Sequence, residues 1–203
     1  MCFLKKKHGS SGVISIGQAG ENLVKGALTL IDNTSTLGRG GLGAILGSKN
    51  VKAIVVKGKR GIDIAHPTVF NELYEKFMER VRNYPQRESW LSLGMLRSLP
   101  IGMLLSLKGQ KTKVKQVSER TYLKKIKARR IACPSCPMAD KDILLIKEGE
   151  FQGLINYTSS VINPFLMFTL EGLKSHDEAI KAFDLINRYG LDSLTITALL
   201  EFL

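Results

Sequence analysis

Residues 36–50 read "TLGRGGLGAILGSKN", with five glycines and one arginine between positions 38 and 47. Glycine at this density places the backbone in conformations other residues avoid and lets it approach a neighbour closely. Two phosphate-binding patterns come near. Gly38, Gly40 and Gly43 fit G-x-G-x-x-G, and Asp63 lies about 20 residues further on, where a dinucleotide fold carries its acid. That fold needs a strand ahead of the glycines, whereas a helix and the polar turn "DNTST" are expected there. A P-loop needs Gly-Lys-Ser/Thr, but the chain has Gly47-Ser48-Lys49 followed by a strand. Both nucleotide readings fail on context. Two readings stay open. The loop receives an anionic ligand on backbone N–H groups and the Arg39 fork, or it is a demanding turn with no ligand.

The segments around the loop have readable periods. Residues 13–16 are expected to form a short strand ending in a Gly-x-x-Gly turn. From Glu21 to Ile31, Leu23, Ala27, Leu28 and Ile31 have helical spacing. Val51 to Val56 is β-branched and apolar, a strand closed by Gly58. Beyond His66-Pro67, the residues Phe70, Leu73, Phe77, Val81 and Tyr84 form one apolar helix face bracketed by Pro67 and Pro85. His66 reads as a cap or surface residue, and Trp90 as core. Ser175-x-x-Glu178 is a capping box opening a helix that stops at Gly190. Asp192 caps a last helix over 193–203. The stretch 90–107 has no clear period. Strands early and helices late predict an α+β chain. Residues 1–65 would be part of a β-rich domain, and residues 66–203 part of a mostly helical one.

The net charge is +12 over 203 residues, and the excess is local. Residues 108–130 hold ten Lys or Arg and a single acid, Glu119, with helix expected in the second half. Such a run suits phosphate, an acidic protein partner, or a solvated face. Tyr122 is the one aromatic in it, so no stacking platform for bases is present. No apolar run reaches the roughly 18 residues of a membrane span. The basic start lacks a signal-peptide core, and a cytoplasmic protein is expected.

"ACPSCPMADKD" carries Cys133 and Cys136. A structural zinc site commonly takes two such pairs, but only Cys2 and the scattered His8, His66 and His176 remain. A thioredoxin site wants a different context. An iron–sulfur cluster takes closely spaced cysteines and a more distant one, with Asp140 at the third position. Two structural thiols are the plain alternative.

Taken together, "IGQAGENLVKGA" (16–27), "GRGGLGAILGSKNVKAIVVKG" (38–58), "ACPSCPMAD" (132–140) and "NRYGLDSLT" (187–195) resemble, in order, four segments of the aldehyde:ferredoxin oxidoreductase family of tungsten- or molybdenum-pterin enzymes. The resemblance implies a β-sheet base for the pterin followed by helical domains. It implies a tungsten- or molybdenum-bis-pterin and a 4Fe-4S cluster. Matching pterin contacts are Arg39, Gly40, Gly41, Gly43, Asn187, Leu191 and Asp192, and matching cluster positions are Cys133, Cys136 and Asp140. Aldehyde oxidation to the carboxylic acid, with electrons passed to ferredoxin, is the implied reaction. Ferredoxin and a small aldehyde are the implied partners, beside the remainder of the enzyme or a second copy.

Departures from the family pattern bear on activity. Asp140 replaces a cluster cysteine, and Asn187 replaces an aspartate. "INYTS" (155–159) has Asn156 and Thr158 where the family carries acids, and neither replaces a proton carrier. The chain is expected to be a middle piece that leaves apolar surface uncovered, and no catalytic residue is named. A non-catalytic remnant remains the alternative, as an iron–sulfur electron carrier or a basic nucleic-acid-binding piece.

Overall fold

The computed structural model describes residues 2–94, 109, 122–158 and 172–203. The unassigned stretch from residue 95 and most of the basic run 108–130 lie outside the described residues.

Strand β1 (Gly12–Ile16) is the hub of a four-stranded antiparallel sheet ordered β3-β2-β1-β4. Its register with β2 (Thr29–Ile31) sets Ile14 opposite Ile31. Its register with β4 (Ala53–Val56) sets Val13 opposite Val55. Strand β3 (Ser35–Thr36) pairs with β2. Helix α1 (Cys2–His8) precedes the sheet.

The helix expected over 21–31 is absent. Helix α2 (Gln18–Glu21) ends at once, Leu23 takes a left-handed φ of 56°, and Thr29–Ile31 runs as β2. Pairing of Thr29, Leu30 and Ile31 with β1 overrides the local helical spacing, and Ala27, Leu28 and Thr29 are fully or nearly fully buried. Helix α3 (Leu42–Ser48) follows the glycines directly and packs on α2. This contact needs glycine: a Cβ on Gly47 would lie 1.9 Å from the Gly20 carbonyl oxygen. So a strand does precede the glycine loop and a helix does follow it, contrary to expectation. The sheet is nonetheless antiparallel throughout, so the dinucleotide fold stays excluded.

Helix α4 (Pro67–Arg82) begins at Pro67 with the exposed His66 as its N-cap. Its apolar stripe is not covered by the described residues: Phe70, Leu73 and Phe77 are each about half exposed. Helix α5 (Arg87–Leu93) follows, with Trp90 half-buried rather than in the core.

The region expected to be mostly helical contains a second antiparallel sheet, ordered β5-β6-β7. One wide helical turn, Tyr122–Ile126, leads into β5 (Lys127–Ile131), where the basic run was expected to be helical. Strands β6 (Lys141–Leu145) and β7 (Ile155–Tyr157) complete it. The exposed Arg129 and Arg130 suit an edge strand, where charged side chains block further pairing. Leu144 and Ile146 pack with Tyr122 and Ile126 against Ile180, Phe183 and Ile186 of helix α6 (His176–Tyr189). The α6 cap forms as expected: Ser175 Oγ accepts from the Glu178 amide at 3.2 Å. The returning Glu178 carboxylate accepts instead from the Lys174 amide. Gly190, at φ 71°, ends α6, and Asp192 caps helix α7 (Ser193–Phe202).

Candidate functional site

The two sheets are joined where the α6–α7 corner meets residues 26–28. The Leu28 amide donates to the Gly190 carbonyl at 2.7 Å, and the Asp192 amide donates to the Gly26 carbonyl at 2.9 Å. Leu191 bridges to Ala27 between them. Gly17 closes the contact from the other side, because a Cβ there would lie 2.3 Å from the Tyr189 carbonyl. Two segments more than 160 positions apart are thus held backbone to backbone.

Above this clasp lies the glycine loop. Arg39 Nε donates to Asp192 Oδ2 at 2.8 Å, and its Nη2 donates to Thr195 Oγ1 at 3.1 Å. The Arg39 side chain is 61% exposed, whereas that of Asp192 is 8% exposed. Burial pushes the Asp192 carboxyl up, but hydrogen bonds from Thr195 and Arg39 outweigh it and hold the group below its ordinary value. Asp192 is therefore an anion with a dual role, capping α7 through the Thr195 amide and anchoring Arg39.

The glycines divide by function. Gly41 and Gly43 are demanded by the fold: a Cβ would lie 2.8 Å from the Lys25 carbonyl oxygen at Gly41, and 2.5 Å from that of Leu28 at Gly43. Gly38 and Gly40, at φ 92° and 108°, have nothing within 4 Å of a built Cβ. Their backbone faces open space beside Arg39. An open cradle with a partly used guanidinium fits a polar, anionic group such as a pterin phosphate.

Asn187 lies apart from that pair. It lines a cleft of about 790 Å³ with Ser15, Leu30, Tyr157 and Arg188, and neither Arg39 nor Asp192 is among the lining residues. Its Nδ2 donates to Asn156 Oδ1 at 3.4 Å. Asn156 donates in turn to the Ile180 carbonyl, and the buried Thr158 exchanges hydrogen bonds with the Asp142 backbone. Both residues standing where acids were expected are thus committed to holding β7 in place.

Cys133, Cys136 and Asp140 sit on one nine-residue hairpin loop between β5 and β6. The Cys136 amide donates to the Cys133 carbonyl at 3.0 Å, with Ser135 at φ 60°. Both thiols are free and half-buried. The strand leading into the pair is β5, not the helix expected before it. Among the described residues, no three His, Cys, Asp or Glu converge as a metal ion requires. Two thiols and a carboxylate do not fit a four-thiolate cluster.

One cluster escaped the sequence reading. Tyr122 donates its hydroxyl to Asp142 Oδ2, and Lys127 Nζ lies 2.8 Å from Asp142 Oδ1. That second contact is an ion pair without hydrogen-bond geometry. Lys127 also donates to the Leu91 and Ser92 carbonyls at the end of α5. Burial pushes both Tyr122 and Asp142 up from their ordinary values. The signal was in the strand period: Asp142 is in phase with the buried Leu144 and Ile146.

The aldehyde ferredoxin oxidoreductase N-terminal domain model matches residues 2–58, and the model for domains 2 and 3 matches residues 72–203. The chain belongs to the aldehyde ferredoxin oxidoreductase family. It is 44% identical over 84 residues to a tungsten-containing aldehyde ferredoxin oxidoreductase of Pyrococcus furiosus, a match covering 40% of this chain and 14% of that protein. It is also 26% identical over 219 residues to an aliphatic sulfonate oxidoreductase WOR-like subunit of the same organism, covering 98% of this chain and 34% of the relative. In fold it is similar to the active-site complex BamBC of benzoyl coenzyme A reductase, solved with 1,5-dienoyl-CoA. The TM-score is 0.67 at 21% identity, over 95% of this chain and 32% of that one. The chain thus spans between 14% and 34% of the length of these relatives. Among the described residues, no helix is long and apolar enough to cross a membrane.

Proposed function

We propose that the chain forms one wall of the pterin site of a tungsten- or molybdenum-dependent oxidoreductase that converts a small aldehyde to the carboxylic acid and passes the electrons to ferredoxin. The Arg39–Asp192 pair carries this reading, because it joins the two segments that match the family's pterin contacts. The bis-pterin metal group supplies the two-electron chemistry when bound. Arg39 offers a guanidinium already oriented by Asp192 and Thr195, so less side-chain freedom is lost on meeting an anionic group. Gly38 and Gly40 expose backbone to that group, and Leu191 holds the corner that carries Asp192. Asn187 opens onto a separate cleft and is not counted among the contacts of this wall. The boundary between a sheet domain, residues 1–65, and the part that follows, residues 66–203, belongs to this reading.

No step is assigned to an iron–sulfur cluster, because the donor set within these residues does not fit one. Proton transfer is not assigned to residues 155–158 either, since Asn156 and Thr158 are buried in structural hydrogen bonds. These two observations favour a second reading, in which the chain keeps the pterin wall without being competent alone.

Metal and pterin analysis of the purified protein tests the proposal. Tungsten or molybdenum with pterin supports it. Iron alone points to an electron carrier. Absence of all three, with salt-sensitive binding to DNA, points to the basic binding module.

A further inference from the structure

Lys141 is the first residue of β6 and follows Asp140 directly, at the mouth of the cysteine-bearing loop. It faces Ile131, the last residue of β5, in the hairpin register. Its side chain leaves its own sheet. Nζ donates to the Thr34 carbonyl at 3.0 Å and to Ser35 Oγ at 2.7 Å, across more than 100 positions. Ser35 opens β3, which ends at Thr36, and the chain continues through Leu37 into Gly38. The Leu37 amide donates to the Thr29 carbonyl, so the entry to the glycine loop is itself fixed to β2.

We infer that Lys141 is a positioning residue that holds the cysteine-bearing hairpin loop at a set place against the strand entering the glycine-rich loop. Hydrogen bonds from a charged donor are stronger than neutral ones, and both sites here are partly buried. The contact lies close to the loop rather than at the far end of the hairpin, so it restrains the segment that carries Cys133 and Cys136. It is separate from the clasp at residues 26–28 and 190–192, which continues to join the two sheets without it. Lysine serves because its long stem bridges from one sheet to the other. The restraint stands on these contacts and does not depend on the oxidoreductase reading proposed above.

Hydrogen exchange on the full chain tests this. The reporting amides are Cys136 and Asp140 in the loop and Thr34 and Leu37 beside β3, all hydrogen-bonded. Lys141→Met is expected to speed their exchange about tenfold, the scale of one lost hydrogen bond. The amides of α6 and β1 should not change, and Lys141→Arg should restore protection. Ser35→Ala, which removes one acceptor only, should give a smaller increase at the same sites and serves if Lys141→Met does not fold. Unchanged loop exchange in these variants overturns the inference. So does an equal rise in α6, which marks general destabilisation, or failure of Lys141→Arg to restore protection. Tungsten and pterin content of the same samples tests the oxidoreductase reading independently. The exchange pattern in a cofactor-free chain keeps the positioning role and removes only that reading.

Discussion

Arg39 Nε donates to Asp192 Oδ2 at 2.8 Å across 153 positions of sequence. One partner is mostly exposed and the other is buried. Asp192 therefore controls the pair, and its ionisation should be visible in stability. Its carboxyl is held below its ordinary value. Its contribution is then fully present above the unfolded value near 4 and is lost as pH falls through the lower folded value. Asp192→Asn should lower the urea midpoint at pH 7, and the gap to the native chain should narrow toward pH 3. A gap independent of pH contradicts the assignment.

Gly17 and Gly58 make a controlled pair. A Cβ on Gly17 would meet the Tyr189 and Gly190 backbone at 2.3 to 2.5 Å, whereas one on Gly58 would meet nothing within 4 Å. Backbone cannot swing aside as a side chain does. Gly17→Ala should cost roughly 3 kcal/mol or more and loosen the α6–α7 corner, while Gly58→Ala stays within about 0.5 kcal/mol. Thermal unfolding of the two variants reads this directly.

Lys127 is a largely buried cation held by Asp142 and two carbonyls. Removing it strands the Asp142 charge in the core, so Lys127→Met should destabilise by roughly 3–5 kcal/mol. Asp142→Asn in the Lys127→Met background should recover part of that loss. A double-mutant cycle on these two positions measures the coupling; purely additive losses would show that the pair does not interact.

The stripe Phe70, Leu73 and Phe77 on α4 is uncovered among the described residues. Leu73→Gln with Phe77→Gln should leave the unfolding free energy within about 0.5 kcal/mol and reduce self-association on sizing chromatography. A large loss of stability would show that this face is packed in the folded chain.

The parts legible in the sequence were those with local causes. Ser175, Gly190 and Asp192 mark the α6 and α7 ends because capping chemistry acts within a few residues. The helix read over 21–31 failed because β1 supplies partners that no local period reveals. The second sheet was hidden by the charge of β5, where the exposed Arg129 and Arg130 look like a helix face. The resemblance brought Arg39 and Asp192 to one place, and the structure joins them. It did not foresee that Asn187 opens onto a different cleft, or that Gly43 serves packing. Lys141 and Asp142 carried no motif at all, because their roles depend on what lies across from the strand.

On the proposed function, Arg39 and Asp192 clasp one wall of a pterin site. The most direct measurement is the tungsten, molybdenum and pterin content of the purified protein, compared between the native chain and Arg39→Ala. Bound pterin is expected in the native protein, and its loss in an Arg39→Ala variant that melts like the native chain. Pterin retained undiminished in Arg39→Ala, or absent from the native protein grown with both metals, would contradict it.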